Sequence, residues 1–389
     1  MIAPGTFLGL LGGGQLGRMF TMAAQGMGYR VMVLDPGRHS PAGTVADRHI
    51  WSDYLDPAAL AQLGSCCAAI TTEFENVPAE ALERLSHSCF VSPAAASVAV
   101  AQDRIREKRF LAASGLRTAP FAVIEGREDL GDGLDPALLP GILKRSRFGY
   151  DGKGQVRVQS ANEARAAFVT LGEEPCVLER MLPLELELSV VVVRGLDGAV
   201  TTFPLAENLH AHGILDVCIV PARVPAALAS EARAAAVTVA ETLDYRGVLC
   251  VEFFVVEGGR LLANEIAPRP HNSGHYSIDA CVTSQFEQQV RVLAQLPLGD
   301  TSLHCPAVMV NILGEAWHAG EPQWERVLAH PRVKLHLYGK REPRPGRKMG
   351  HYTVLGDDLA ANLALALDIP RALLASSGVA ANTKMRGAA

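Results

Sequence analysis

Two glycine-rich loops, two carboxylates inside apolar runs and a short histidine-bearing segment hold the chemistry of this sequence. Gly12-Gly13-Gly14-Gln15-Leu16-Gly17 fits G-x-G-x-x-G, and Asp35 closes the next apolar run. Glycines at such a turn let backbone N–H groups approach an anion at a helix N-terminus. Taken alone, the loop suits a dinucleotide, another phosphorylated ligand or a structural turn, and a nicotinamide-dependent oxidoreductase is one reading of it. The second loop, Lys144-Arg145-Ser146-Arg147-Phe148-Gly149-Tyr150-Asp151-Gly152-Lys153-Gly154-Gln155, sets four cationic side chains among three glycines. Such a loop can fold over a polyphosphate, giving N–H donors and point charges together; a solvated basic hairpin is the plainer alternative. Glu252 (in Cys250-Val251-Glu252-Phe253-Phe254) and Glu265 (in Leu262-Ala263-Asn264-Glu265-Ile266) lie where an unpaired carboxylate is expensive. On adjacent strands both could face one divalent cation, and all-oxygen ligation suits Mg²⁺ bridging nucleotide phosphates. Two independent buried ion pairs would leave the same trace.

The elements that must position these residues alternate strand and helix. Residues 7–11 form an apolar strand entering the first glycine loop, 15–28 a helix, 30–34 and 68–72 further strands and 80–85 another helix. That rhythm predicts a parallel sheet with helices on both faces. Residues 102–114, with Asp103, Arg104, Arg106, Glu107, Lys108 and Arg109, read as a charged helix leading out of this first domain. The Gly-, Asp- and Pro-rich stretch 125–141 is a surface connection, and a strand at 141–144 runs into the second loop. Strands follow at 177–179 and 186–194, the latter with four consecutive valines, then an amphipathic helix at 226–243. Residues 247–256 and 260–266 are a strand pair turning at Glu257-Gly258-Gly259-Arg260, and a smaller domain follows Pro297. The fold class is α/β, with a Rossmann-like first domain over 1–100, a central domain over 101–298 and a C-terminal domain over 299–389.

Composition narrows the classes. The 389 residues are 49% hydrophobic and 20% charged, which excludes intrinsic disorder and leaves room for two or three cores. With 36 Lys plus Arg against 41 Asp plus Glu, the net charge of −5 argues against a general nucleic-acid or anionic-membrane binder. No apolar stretch reaches the ~18 residues of a membrane helix, and the start lacks a basic, cleavable leader, so a cytoplasmic location is expected. None of the eight cysteines forms C-x-x-C; all read as structural, with Cys250 a small hydrophobe inside an apolar run. His271 and His275 fit H-x-x-x-H, but Pro270, Asn272 and Gly274 argue against one helix face and therefore against zinc. The cluster Lys340, Arg341, Arg344, Arg347 and Lys348 is broken by Pro343 and Pro345 and lacks interleaved aromatics, so it is no nucleic-acid patch.

A lysine strand, a glycine loop and two late carboxylates resemble the ATP-grasp fold of carboxylate–amine ligases. More closely, Gly12–Met19 (GGGQLGRM), Thr71–Pro78 (TTEFENVP), Gly149–Gln155 (GYDGKGQ), Asn264–Tyr276 (NEIAPRPHNSGHY) and Arg344–Tyr352 (RPGRKMGHY) resemble the N5-carboxyaminoimidazole ribonucleotide synthetase family. The match runs in order over nearly the whole chain. One departure is Phe148, where the family usually has a second glycine before Gly149.

The resemblance implies a pre-ATP-grasp domain, an ATP-grasp domain with a lid at about 118–183, and a small C-terminal domain. It implies a ligase of purine synthesis that carboxylates aminoimidazole ribonucleotide (AIR) with bicarbonate and ATP, using Mg²⁺ and no biotin. A homodimer without nucleic-acid or membrane partners is expected. A formate-using transformylase of the same superfamily is the nearest alternative, and segments 269–276 and 344–351 weigh against it.

Carried onto this chain, Lys144 and Gly149, Tyr150, Asp151, Gly152, Lys153, Gly154 and Gln155 grip the ATP phosphates, with Lys153 as a mobile catalytic charge. Arg104 and His210 are further nucleotide contacts, and Glu179, Arg180, Met181 and Leu182 form the adenine edge. Glu187 takes the ribose hydroxyls, with Glu185 as its rival in register. Glu252 and Glu265 bind Mg²⁺ beside Asn264, Arg269 stabilises bicarbonate and carboxyphosphate, and His271 orients bicarbonate or moves a proton. Gly14, Gln15, Leu16, Glu73, Asn272 and Ser273 meet the ribonucleotide, whose 5′-phosphate falls to Lys340 and Arg347.

Overall fold

A computed structural model describes residues 1–131, 133–147, 149 and 154–374, with side chains as far as Ile369. Three sheets organise it. The first is parallel and five-stranded, in the order Arg48–Ile50, Arg30–Leu34, Phe7–Leu11, Ala69–Thr72, Phe90–Val91. Its strands are buried on both faces. Leu8, Leu10, Val31 and Val33 point to one core, while Leu11, Met32, Leu34 and Ile70 point to the other, as a period of two requires. Helices Pro57–Cys66 and Ala79–Ser86 cover the second face. The first face is covered by Gln15–Gly26 and by Gln285–Leu293, a helix far along the chain that contributes Phe286, Val290 and Leu293. Strand order reverses between Phe7–Leu11 and Ala69–Thr72. The first glycine loop and Glu73 leave the carboxyl ends of those two strands, where such sheets bind ligands.

The second sheet is antiparallel, in the order Phe121–Ile124, Cys176–Arg180, Gly141–Arg145, Gln155–Val158, and helix Ala161–Thr170 packs on it through Ala164, Ala167 and Phe168. The third has nine strands. Arg260–Ala267, Gly247–Val256 and Leu184–Arg194 lead through Ala206–Ala211 and Ile214–Val220 to Ala307–Leu313, Lys348–Leu355 and Val333–Leu337, while Val200–Thr202 pairs beside Leu184–Arg194. The four-valine run shows how it is packed. Val190 and Val192 face helix Ala226–Thr242, and Val191 and Val193 face a second core with Cys218, Cys250 and Met309. Because Ile214–Val220 pairs with Ala307–Leu313, hydrogen bonding continues unbroken across residue 299.

The expected helix at 102–114 is present as Arg104–Ala113. A separate helix, Ala95–Ala101, ends at Gln102, and Asp103 caps the start of Arg104–Ala113, accepting from Ile105 N at 3.0 Å and Arg106 N at 3.2 Å. The connection at 125–141 contains two short 3-10 turns, Arg127–Leu130 and Pro136–Leu138. All eight cysteines are free and five are buried. Among the described residues no helix is long and apolar enough to cross a membrane.

Candidate active site

The first glycine loop is closed by the protein's own carboxylates. Gly14 N and Gly17 N donate to the two oxygens of Glu73 at 2.7 and 3.0 Å, and Gly13 N donates to Asp35 Oδ2 at 2.7 Å. Gly12 has φ +101°, and a Cβ there would sit 2.6 Å from Glu73 Cγ, so these glycines make room for a carboxylate. A pyrophosphate at the same donors would meet two carboxylates, which corrects the dinucleotide reading. Burial raises the Glu73 pKa against the two N–H donors. The Leu16 side chain, 6% exposed, belongs to the core, leaving its backbone, beside half-buried Gln15 at the helix N-terminus, for a ligand.

The last domain reaches this loop. Tyr338 is buried in the first domain's core beside Leu16 and Phe20, and Arg18 Nη1 lies 3.5 Å from where a Cβ on Gly339 would be. That anchoring sets Gly339 against helix Gln15–Gly26, and the next residue, Lys340, donates from Nζ to Lys348 O at 2.6 Å. Arg347 donates from Nη1 to Glu342 O at 2.9 Å.

On the third sheet, register builds a polar row. Ser189 is the cross-strand partner of Glu252, and Glu252 of Glu265, so the three side chains share a face. Two residues along, Glu187 pairs with His210, Oε2 to Nδ1 at 3.0 Å, while Glu185 is exposed at the irregularity between Leu184 and Leu186. Burial lowers the His210 pKa but Glu187 outweighs it, and the net shift is upward. Glu265 meets Arg104 Nη1 at 3.1 Å, and Glu252 meets His271 Nε2 at 2.9 Å. Despite burial, Cys250 and the Glu252 carboxylate raise His271 to about 10. Among the described residues no group of three or more His, Cys, Asp or Glu could hold a metal, so a cation here would depend on two carboxylates and ligand oxygens. Those carboxylates suit one, since each already carries a cationic partner and Glu265 remains 39% exposed.

The loop after Glu265 is fixed from behind. His271 Nδ1 lies 2.8 Å from Ser273 Oγ, which lies 2.7 Å from Ser189 Oγ. Gln285 accepts from His271 N at 2.9 Å and donates to His271 O at 2.8 Å. Asn272 exchanges two amide hydrogen bonds with Asn311, at 3.0 and 2.7 Å. The side chains of Asn272 and Ser273 are therefore buried and hydrogen-bonded within the protein. Arg269 pairs with Glu75, a motif carboxylate to which sequence reasoning gave no role.

Where the second sheet meets helix Arg104–Ala113, Glu179 is shared by two buried lysines, Lys144 at 3.0 Å and Lys108 at 3.1 Å. Its side chain is thus occupied. The amides of Arg180 and Met181 are bound to Pro120 O and Pro140 O, both at 2.9 Å, which leaves the expected adenine edge to carbonyls and to Leu182. Burial lowers the Lys144 pKa while Glu179 opposes the shift. Arg104 Nη2 donates to Gly149 O at 3.2 Å, Gly154 O accepts from Arg145 N at 2.9 Å, and Gln155 pairs with Lys144. Phe148, Tyr150, Asp151, Gly152 and Lys153 lie outside the described residues. Lys108 was missed among candidate site residues, although its spacing from Arg104 is that of one helix face.

Comparison with known proteins agrees with this fold. Family models match as a ribonucleotide synthetase preATP-grasp domain over residues 6–102, an ATP-grasp domain over 109–286 and a phosphoribosylaminoimidazole carboxylase C-terminal domain over 307–364. The N5-carboxyaminoimidazole ribonucleotide synthase of Brucella melitensis is 46% identical over 90% of this chain and 97% of its own length. That of Bacillus subtilis is 42% identical over 91% and 93%. Among solved structures, the ADP complex of an N5-carboxyaminoimidazole ribonucleotide synthetase superposes with TM-score 0.89 at 40% identity, covering 96% of this chain and 99% of that one. The Aspergillus clavatus synthase, in complex with ADP and 5-aminoimidazole ribonucleotide, gives 0.83 at 30% identity, covering 94% and 99%. These relatives support neither the oxidoreductase nor the transformylase reading. By sequence over nine-tenths of its length, and by fold, the chain belongs to the N5-carboxyaminoimidazole ribonucleotide synthetase family, an ATP-dependent ligase of the ATP-grasp type.

Proposed function

We propose that this ligase joins bicarbonate to the exocyclic amine of AIR at the expense of ATP, with the residues above in specific roles. The observation that carries the reading is the register pairing Glu252 with Glu265, with Arg269 and His271 on the loop that follows. A bicarbonate oxygen attacks the γ-phosphorus, the bond from that phosphorus to the bridging oxygen breaks, and ADP leaves carboxyphosphate behind. The amine nitrogen then bonds to the carboxyl carbon as phosphate departs, and the amine gives up a proton. The reacting phosphates and bicarbonate are anionic, so the protein's task is to neutralise charge and hold the groups in line.

Glu252 and Glu265 would hold Mg²⁺ beside Asn264, and the ion supplies charge neutralisation at the β- and γ-phosphates. His271 and Arg104 now occupy those carboxylates with their own N–H groups. Released from them, both would turn their donors to bicarbonate and phosphate oxygens. Arg269, held by Glu75, would stabilise carboxyphosphate, and Lys144, with the loop from Gly149 to Gln155 and Lys153 in it, would grip the phosphates. Leu182, the carbonyls near Glu179 and the Glu187–His210 pair would receive adenosine. Gly14, Gln15, Leu16 and Glu73 would meet the ribonucleotide, and Lys340 with Arg347 its 5′-phosphate. A homodimer in the cytoplasm completes the proposal. The test is ADP release with ATP and Mg²⁺, adding or withholding AIR and bicarbonate. Dependence on both supports the reading, and ADP release indifferent to AIR overturns it.

A further inference from the structure

Helix Arg104–Ala113 gives the site more than Arg104. Positions i, i+3 and i+4 share one helix face, and Arg104, Glu107 and Lys108 occupy them. The three reach three consecutive residues of one strand. Lys108 Nζ donates to Asn264 O at 2.7 Å, Arg104 Nη1 pairs with Glu265 Oε2 at 3.1 Å, and Ile266 N donates to Glu107 Oε1 at 2.6 Å.

That stretch is where the strand register slips. Glu252 faces Glu265 but Phe253 faces Ala263, so Asn264 is the extra residue of a β-bulge. Arg260–Ala267 is the edge strand of its sheet, so its outward backbone groups, and any that the bulge takes out of the ladder, must find partners elsewhere when buried. Here two side chains supply them, and both are themselves buried, Glu107 at 2% and Lys108 at 1% exposed. Residues of these types are seldom buried so deeply without a pairing role. The helix is also pinned at its start, where Arg104 N donates to Ser146 O at 2.8 Å and Ser146 Oγ donates to Asp103 Oδ1 at 2.7 Å.

We propose that Glu107 and Lys108 are positioning residues that set the bulge at Asn264 and thereby aim the Glu265 carboxylate. The inference rests on the proposed reading of Glu265 as a ligand of the Mg²⁺–nucleotide complex. The Glu107 and Lys108 side chains are both closed off from solvent and bonded to protein atoms. Lys108→Met leaves Glu179 paired with Lys144, whereas Glu107→Leu removes the acceptor for Ile266 N and Glu107→Gln restores one.

The experiment compares these full-length variants by amide hydrogen exchange at Ile266 without ligand, and by ADP binding titrated with Mg²⁺. Glu107→Leu should speed Ile266 exchange, and both it and Lys108→Met should raise the Mg²⁺ needed for half-maximal ADP binding about tenfold, the lower end for outer-shell partners. The KM for AIR should hold, and Glu107→Gln should recover both properties. Wild-type exchange in Glu107→Leu, or no recovery in Glu107→Gln, overturns the clamp. Should Glu107→Leu fail to fold, Lys108→Met decides by its Mg²⁺ titration. Glu265→Gln separates the two levels of argument. If it alone weakens Mg²⁺ dependence, the clamp is wrong and the ligand reading stands; if it too has no effect, the ligand reading falls and the proposal with it.

Discussion

Replacing Glu179 with glutamine isolates the buried charge cluster between the second sheet and helix Arg104–Ala113. The carboxylate neutralises Lys144 and Lys108 at 3.0 and 3.1 Å, and all three side chains are nearly enclosed. The amide would keep the shape, but it offers one oxygen to one ammonium and turns an NH₂ donor toward the other. Breaking a buried pair from one side costs about 3–5 kcal/mol, a large share of the roughly 5–15 kcal/mol that holds a typical domain together. The pH dependence has a definite sign. Lys144 is already lowered by burial, Lys108 and Arg104, and Glu179 is the group opposing them. Without it the folded pKa drops further below the unfolded value of about 10.4. Between those values the unfolded chain binds the extra proton, so stability rises with pH there, by up to about 1.4 kcal/mol per pH unit. The variant's deficit should therefore be largest near pH 7 and narrow toward pH 10. Urea unfolding at pH 7 and 9.5 measures it, with ADP titration alongside, since a neutral Lys144 would grip phosphate poorly. A wild-type midpoint at pH 7, or a deficit that widens with pH, would refute the reasoning.

Three further outcomes are expected. Arg347→Ala should raise the KM for AIR roughly ten- to hundredfold, the worth of one charge-assisted hydrogen bond, with little change for ATP; equal effects on both substrates would remove Arg347 from the ribonucleotide site. Arg269→Lys keeps a charge but loses the planar fork, and kcat should fall by roughly 10²-fold, as for other transition-state donors; single-turnover rates within twofold of wild type would count against carboxyphosphate stabilisation. His275 and His351 are fully buried, have Nε2 atoms without a hydrogen-bond partner among the described residues, and are pushed well below the usual imidazole range by burial, with His351, His271, Lys348 and His336 adding to it for His275 and His336 for His351. The unfolded chain then takes up protons that the folded one refuses, so stability should fall as pH drops below about 6.5, by up to about 2.7 kcal/mol per unit for the pair. Urea midpoints from pH 7.5 to 5.5 test this, and His351→Gln should halve its contribution to the slope.

Much of the fold was legible because it is written locally. Strands Phe7–Leu11 and Arg30–Leu34 begin and end where their apolar runs do, and the pair Gly247–Val256 and Arg260–Ala267 lies within one residue of expectation. Short or half-polar strands such as Arg48–Ile50, Ala206–Ala211 and Gln155–Val158 were not legible. They carry too little periodicity to announce themselves, and exist because a neighbouring strand supplies their hydrogen bonds. The candidate site was legible as residue types for a similar reason: glycines beside cations, and carboxylates in apolar runs, are costly arrangements that stand out in any context.

What the sequence by itself determined is the inventory: a glycine turn after a buried strand, cations to meet phosphates, two carboxylates near one sheet, and order enough along the chain to resemble one family. Tertiary structure alone decided which of these are spent inside the protein and which face the cleft. Glu73 fills the loop that an anion was expected to fill, and Asn272 and Ser273 hydrogen-bond within the protein around the His271 loop. Glu107 and Lys108, read as part of a charged helix, are buried against a bulge 156 to 159 residues away. A charged side chain looks the same in sequence whether water or a buried backbone atom satisfies it. Only long-range packing, which removes the water, tells the two apart.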